Sequence, residues 1–138
     1  MNRPVVLDTS FLVALERETA KGEQGPARRF LPSLRGRPLV VSVVTVEELL
    51  EGATDEAAAL ASLRRFSIHG VHLAQAMRCA LLQRRAKRRM GENDAWLVAT
   101  AESINADVAA VRARRTRSIV WLPRGDKSPV AEQRQPIK

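Results

Sequence analysis

The residue pattern predicts an α/β domain: a mostly parallel sheet of about four to five strands with helices on both faces. Three observations carry this. Short β-branched runs alternate along the chain with longer amphipathic stretches. The first two runs, Val5-Val6-Leu7 and Leu39-Val40-Val41-Ser42-Val43, are nearly continuous in apolar character, as strands buried on both faces are. The length, 138 residues, suits one domain, and a chain of this size buries roughly 68–70% of its unfolded surface without a disulfide or metal staple.

The elements follow in order. Val5 to Leu7 is the first strand. Ser10 is placed to cap a helix that carries Phe11, Leu12, Ala14 and Leu15. Lys21 to Pro26 reads as a loop. A helical stretch with Phe30, Leu31 and Leu34 follows, frayed or kinked by Pro32. Gly36-Arg37-Pro38 precedes the second strand. Thr45 opens a helix and Gly52 ends it. Asp55 to Phe66 is rich in Ala and Leu and reads as a helix, and Ser67 to Val71 as a short extended link. His72 to Arg89 is a long helix stopped by Gly91, with Leu73, Ala76, Met77, Ala80 and Leu81 on one side. Glu92 or Asn93 begins the next helix, which Asn105 ends. Val108 to Val111 and Ser118 to Trp121 are the last two strands. The domain thus occupies residues 1–122, and the polar, aperiodic, Pro-containing segment 123–138 is expected to be a disordered tail.

Composition narrows the function. Hydrophobic residues at 45% and charged residues at 28% exclude whole-chain disorder as the default. A single cysteine, Cys79, excludes an intrachain disulfide framework and fits a reducing compartment. No apolar run approaches the roughly 20 residues of a membrane span, so no membrane partner and a cytoplasmic location are expected. Twenty-three Lys and Arg against fifteen Asp and Glu leave a net charge of +8, which points to a polyanionic partner. With no Tyr and five aromatics in all, a base-stacking platform is poorly supplied. No glycine fingerprint for a nucleotide phosphate is present.

In open α/β sheets the site lies beyond the carboxyl ends of the strands. Asp8 directly follows the first strand. Glu48 lies one turn into the helix after the second. Asp94 sits in the first turn of the helix that precedes the third. Three carboxylates gathered at one edge repel one another, and a hard divalent cation such as Mg²⁺ or Mn²⁺ relieves this through oxygen ligands. In a basic protein such a cluster suggests metal-assisted phosphodiester hydrolysis. Each acid also has a plain structural account. Asp8 can cap the first helix, Thr45-Val46-Glu47-Glu48 reads as a capping box, and Asp94 complements a helix dipole.

The stretches Val5-Val6-Leu7-Asp8-Thr9-Ser10, Thr45-Val46-Glu47-Glu48-Leu49-Leu50-Glu51-Gly52 and Asn93-Asp94-Ala95-Trp96-Leu97-Val98-Ala99-Thr100-Ala101 stand in this order over residues 4–121. Together they resemble the PIN domain, and specifically the VapC-type toxin ribonucleases. Asp8, Glu48 and Asp94 match that family's acidic positions one by one. The resemblance implies a small α/β/α fold, a Mg²⁺- or Mn²⁺-dependent endoribonuclease, and neutralisation by a cognate antitoxin protein. A homodimer is a further arrangement it leaves room for. One departure stands out. The family usually carries a fourth acid just after the next strand, where this chain has Arg112-Ala113-Arg114-Arg115. Asp107 precedes that strand and belongs at its opposite end. The alternative reading is therefore a catalytically weakened PIN-fold module that binds RNA or a partner.

Two basic clusters flank the acids. Arg112, Arg114, Arg115 and Arg117 follow a strand on the predicted edge, and are read as RNA-backbone contacts or as a dock for an acidic antitoxin segment. Arg84-Arg85-Ala86-Lys87-Arg88-Arg89 puts five cations in six residues just before Asp94, with Arg85 and Lys87 as candidate phosphate contacts. His69 and His72 lack the Cys or acid neighbours of a zinc site. Cys79, Trp96 and Trp121 are expected to be packing residues.

Overall fold

Six strands form one sheet in the order β3-β2-β1-β4-β5-β6, in a computed structural model that describes residues 2–112, 118–122 and 133–134. β1 (Val5–Leu7), β2 (Leu39–Ser42), β3 (Ser67–His69) and β4 (Asp107–Arg112) run parallel. β5 (Ser118–Leu122) and β6 (Gln133–Arg134) continue the sheet antiparallel. The mostly parallel α/β architecture is the one the residue pattern predicts, with β6 lengthening the sheet to six strands.

β1 is the centre, flanked by β2 and β4, and all three of its residues are fully buried. Successive side chains of a strand point to opposite faces. Val5 and Leu7 accordingly join one core with Phe11, Leu15, Phe30, Val41 and Ala109. Val6 joins a second core with Val40, Leu97, Ala101 and Val108. Burial on both faces is why these strands read as unbroken apolar runs.

The first core is roofed by α1 (Thr9–Lys21) and α2 (Pro26–Phe30), with Leu34 beyond them and Leu63 of α4 (Glu56–Leu63) also buried in it. Leu49 of α3 (Val43–Glu51) packs against its side. Phe11 and Phe30 meet edge to face at 6.1 Å between centroids. Burying an aromatic ring like Phe11 contributes roughly 2–3 kcal/mol. α1 ends on Gly22, whose left-handed φ of 67° lets its N–H reach the carbonyls of Glu18 and Thr19. Glu18 is buried, and its carboxylate accepts from the N–H groups of Ala27 at 3.2 Å and Arg28 at 3.0 Å. Gly25 is required beside it, since a Cβ there would fall 2.4 Å from that carboxylate.

The opposite face carries α5 (Leu73–Arg85) and α6 (Glu92–Ser103), which pack on each other through Cys79, Ala95 and Ala99, with Trp96 half-buried against them. They are antiparallel. Gln75 near the start of α5 bonds Ser103 at the end of α6 at 3.1 Å. Gln83 near the end of α5 bonds Met90, just ahead of α6, at 3.0 Å.

Several local expectations are corrected. The first helix is capped by Asp8, whose carboxylate accepts from the Ser10 N–H at 3.3 Å, so Ser10 is not the cap. α3 starts at Val43 because Ser42, the last residue of β2, caps it by accepting from the Val44 N–H at 3.2 Å. Thr45 is thus a buried residue inside α3 and does not open it. Ser67–His69 is an edge strand, because its backbone finds a partner in β2 that no local pattern announces. α5 stops at Arg85, four residues before the expected end, where Ala86 turns extended with ψ 132°. Residues 123–132 and 135–138 of the expected tail lie outside the described residues, and Gln133–Arg134 pair with β5. No helix among the described residues is long and apolar enough to cross a membrane.

Candidate active site

The carboxyl ends of β1, β2 and β4 form one edge of the sheet, and Asp8 is fixed there from several directions. Its N–H donates to the Ala109 carbonyl at 2.9 Å, which continues the ladder between β1 and β4. Its carboxylate Oδ2 accepts from both the N–H and the hydroxyl of Ser10. The Ser10 hydroxyl oxygen in turn accepts from the Val111 N–H at 2.9 Å, 101 residues away in sequence. The side chain of Asp8 is therefore coupled to the end of β4 through one serine. Among the described residues, Oδ1 has no hydrogen-bond partner. Asp8 is both a helix cap and an edge carboxylate, and the two accounts of it coexist.

Glu48 reaches the same place from α3. Its Oε1 accepts from the Thr9 hydroxyl at 3.0 Å, and Thr9 is the residue after Asp8. The side chain is half-buried and turned toward α1. This overturns the capping-box account, in which Glu48 would reach back to Thr45. Thr9 and Glu48 also lie in the wall of a groove of about 1390 Å³ between α1–α2 and α3–α4. Glu47 immediately precedes Glu48 on α3, and Glu51 stands one turn after it. Loss of water contact raises the Glu47 carboxyl above its ordinary range, helped by a hydrogen bond to Glu51 and by the charges of Glu51 and Glu48.

Asp94 arrives by topology. α6 returns through Ile104 to Ala106 to the first residue of β4, so it runs against the strands and opens at their carboxyl edge. Asp94 occupies its first turn and is exposed. Its Oδ2 lies 3.3 Å from where a Cβ on Gly91 would be, so the carboxylate leans back over its own helix start. A negative charge is favoured there by the helix dipole.

The structure thus joins Asp8 and Glu48 through Thr9 and brings Asp94 to the same edge without contact. Among the described residues no three His, Cys, Asp or Glu side chains lie close enough to share a metal ion. The donor chemistry fits a hard divalent cation, since all three acids offer carboxylate oxygens.

Asp107 is at the wrong end for this site, as its position before the strand implies. Its buried carboxylate pairs with Arg3 at 3.3 Å and with Arg37, and its residue sits opposite Val5 at the amino edge. Glu51 is exposed at the end of α3. Arg112 ends β4 at the carboxyl edge, while Ala113, Arg114 and Arg115 lie outside the described residues. Arg85 ends α5 and Lys87 lies in the connection to α6, both exposed and at the end of the α5–α6 pair that bears Asp94. Among the described residues, His69 and His72 belong to no cluster of three His, Cys, Asp or Glu, and His72 donates its N–H to Gln75 at 2.9 Å at the start of α5. The sequence pattern did not announce the contacts of Thr9 with Glu48 and of the Ser10 hydroxyl with Asp8. The hydroxyl pair directly after an acid was the one local signal for them.

No curated protein sequence matches the chain. Solved structures with a similar fold include a toxin–antitoxin complex from Klebsiella pneumoniae, with 23% identity, a TM-score of 0.61, and coverage of 75% of this chain and 82% of that one. The VapBC2 complex of Rickettsia felis, bound to a DNA fragment from its promoter, is similar at 17% identity and TM-score 0.61, over 76% of this chain and 84% of that one. The sarcin–ricin-loop-cleaving toxin VapC20 of Mycobacterium tuberculosis is similar at 20% identity and TM-score 0.58, over 79% and 90%. At these identities the likeness speaks to fold. The family model named PIN domain matches residues 5–117, which take in Asp8, Glu48 and Asp94 and every strand of the parallel sheet. On that match, with the acids at the edge the fold reserves for chemistry, the chain belongs to the PIN domain family.

Proposed function

We propose that the chain is a divalent-metal-dependent endoribonuclease, the toxin of a toxin–antitoxin pair, acting in the cytoplasm on RNA phosphodiester bonds. The observation that carries this reading is the Thr9 bridge, which holds Glu48 beside Asp8 at the edge where α6 delivers Asp94. The toxin–antitoxin complexes among the similar folds support a cognate antitoxin as the partner that silences the activity.

Asp8, Glu48 and Asp94 would hold Mg²⁺ or Mn²⁺, which when bound lowers the pKa of a coordinated water and offsets charge on the scissile phosphate. The chain's own residues do the rest. Ser10 holds Asp8 Oδ2, which leaves Oδ1 as a metal donor. Thr9 holds Glu48 Oε1, which leaves its other oxygen as a donor. Arg85, Lys87, Arg112, Arg114 and Arg115 would neutralise flanking phosphates and set the register of the strand without reading its bases.

The lack of an acid at the end of β4, where Arg112 stands, supports a second reading. In it the chain binds RNA or its partner and cleaves weakly. An RNA cleavage assay with Mg²⁺, with Mn²⁺ and with chelator separates the two. Metal-dependent cutting that Asp8→Asn removes supports the nuclease. Binding that survives chelation, with no cutting by the wild type, supports the second.

A further inference from the structure

The end of α5 and its connection to α6 are dense in positive charge. Residues 84–89 are Arg, Arg, Ala, Lys, Arg and Arg, and all five cations are exposed. Like charges this close repel and favour an extended, unstructured segment. Here the far end of the segment is instead gripped. Gln83 accepts from the Met90 N–H through Oε1 at 2.9 Å and donates from Nε2 to the Met90 carbonyl at 3.0 Å. The side chain of Met90 packs against the Cys79, Ala95 and Ala99 cluster. Arg89 is tied to Glu92 at 3.0 Å. Among the described residues, Arg84, Arg85, Lys87 and Arg88 have no carboxylate partner.

We propose that Gln83 is a positioning residue that presets the 84–89 connection as a clamp for an RNA sugar–phosphate backbone entering beside Asp94. The inference rests on the ribonuclease reading of the site. The chemistry favours RNA over an acidic protein. Four of the five cations are Arg, whose planar fork matches phosphate bidentately. The segment exposes no aromatic or large apolar side chain, and protein interfaces draw most of their energy from such anchors. Contact through phosphates alone gives affinity and register, with no base preference. By closing the loop before RNA arrives, Gln83 reduces the ordering cost of binding.

The test uses the full chain carrying Asp8→Asn, so that a labelled single-stranded RNA oligonucleotide is bound and not cut. Affinity is measured by anisotropy across a salt series. Arg85→Gln/Lys87→Gln/Arg88→Gln should weaken binding and make the salt slope shallower by about 2, since each lost phosphate contact removes about 0.7. Gln83→Ala carries no charge change. It should weaken binding roughly 3–10-fold while the slope stays, the signature of lost preorganisation. With Asp8 restored, Gln83→Ala should raise KM for RNA several-fold more than it lowers kcat. Far-UV circular dichroism confirms that each variant is folded, and the triple variant alters only exposed side chains.

If the wild type cuts RNA and both variants keep its KM and affinity, the clamp is overturned and the nuclease reading stands. If the loop governs RNA affinity but no metal elicits cutting, the clamp stands and the nuclease reading falls. Unchanged RNA affinity together with lost binding of a Glu/Asp-rich peptide would assign the loop to a protein partner and overturn the proposal.

Discussion

Thr9 donates its hydroxyl to Glu48 Oε1 at 3.0 Å, which joins the first residue of α1 to the middle of α3 across 39 positions of sequence. Since Asp8 precedes Thr9, this bond ties Glu48 to the residue next to an edge carboxylate.

Two substitutions separate the bond from the charge. Glu48→Gln keeps an acceptor for Thr9 and removes the negative charge, so stability should change by less than about 1 kcal/mol while cleavage collapses. Thr9→Val keeps the shape and the charge and removes the donor. Cleavage should then fall about tenfold, with a higher metal concentration needed for half-maximal rate. Metal-titrated initial rates and thermal melts check both. Full activity in Glu48→Gln would remove Glu48 from the site.

Asp8→Asn should abolish metal-dependent cleavage and leave the fold in place. Asn and Asp are near-equal as N-caps, and the amide oxygen still accepts from Ser10, so the expected stability change is within about 1 kcal/mol. Relief of repulsion between the edge carboxylates works in the stabilising direction. Wild-type cutting by this variant would show that the metal site lies elsewhere.

At the amino edge the expectation is the reverse. Asp107→Ala removes the buried carboxylate that pairs with Arg3 and Arg37. Breaking a buried pair from one side costs about 3–5 kcal/mol, and the lower end applies because Arg3 is more than a third exposed. Denaturant melts should show the loss. The rate of RNA cleavage per folded molecule should stay at the wild-type level, since this carboxylate faces away from the site. A large stability-independent loss of rate would place Asp107 in the chemistry.

Cys79 supplies a pH prediction. Burial pushes its thiol above the ordinary value, the Glu92 carboxylate adds to this, and the Arg89 guanidinium opposes it. A thiol raised in the folded state holds its proton longer than the unfolded chain does. Stability from this group is therefore complete below the unfolded pKa and is lost as pH rises through it toward the folded one. Cys79→Ser should flatten the alkaline side of the stability profile, and alkylation of the native thiol should be slow until denaturant is added. Rapid labelling of the native protein at neutral pH would contradict the burial.

The residue pattern determined the alternation of strands and helices, the two-faced burial of β1 and β2, and the edge of the sheet toward which Asp8, Glu48 and Asp94 are placed. These follow from periodicity and from the order of elements, both of which are local or additive along the chain. It also placed Asp107 at the opposite end, because a residue before a strand and one after it cannot share an edge. Only the tertiary structure decided which partner each polar group takes. Ser42 displaced Thr45 as the cap of α3, Glu48 turned to Thr9, Ser67–His69 paired with β2, and Gln83 closed the basic connection onto Met90. A hydroxyl, a carboxylate or a free strand edge satisfies its hydrogen bonds with whatever packing brings within about 3 Å. At these sites the partner comes from a neighbouring helix, strand or loop end, so no local window of sequence contains the choice.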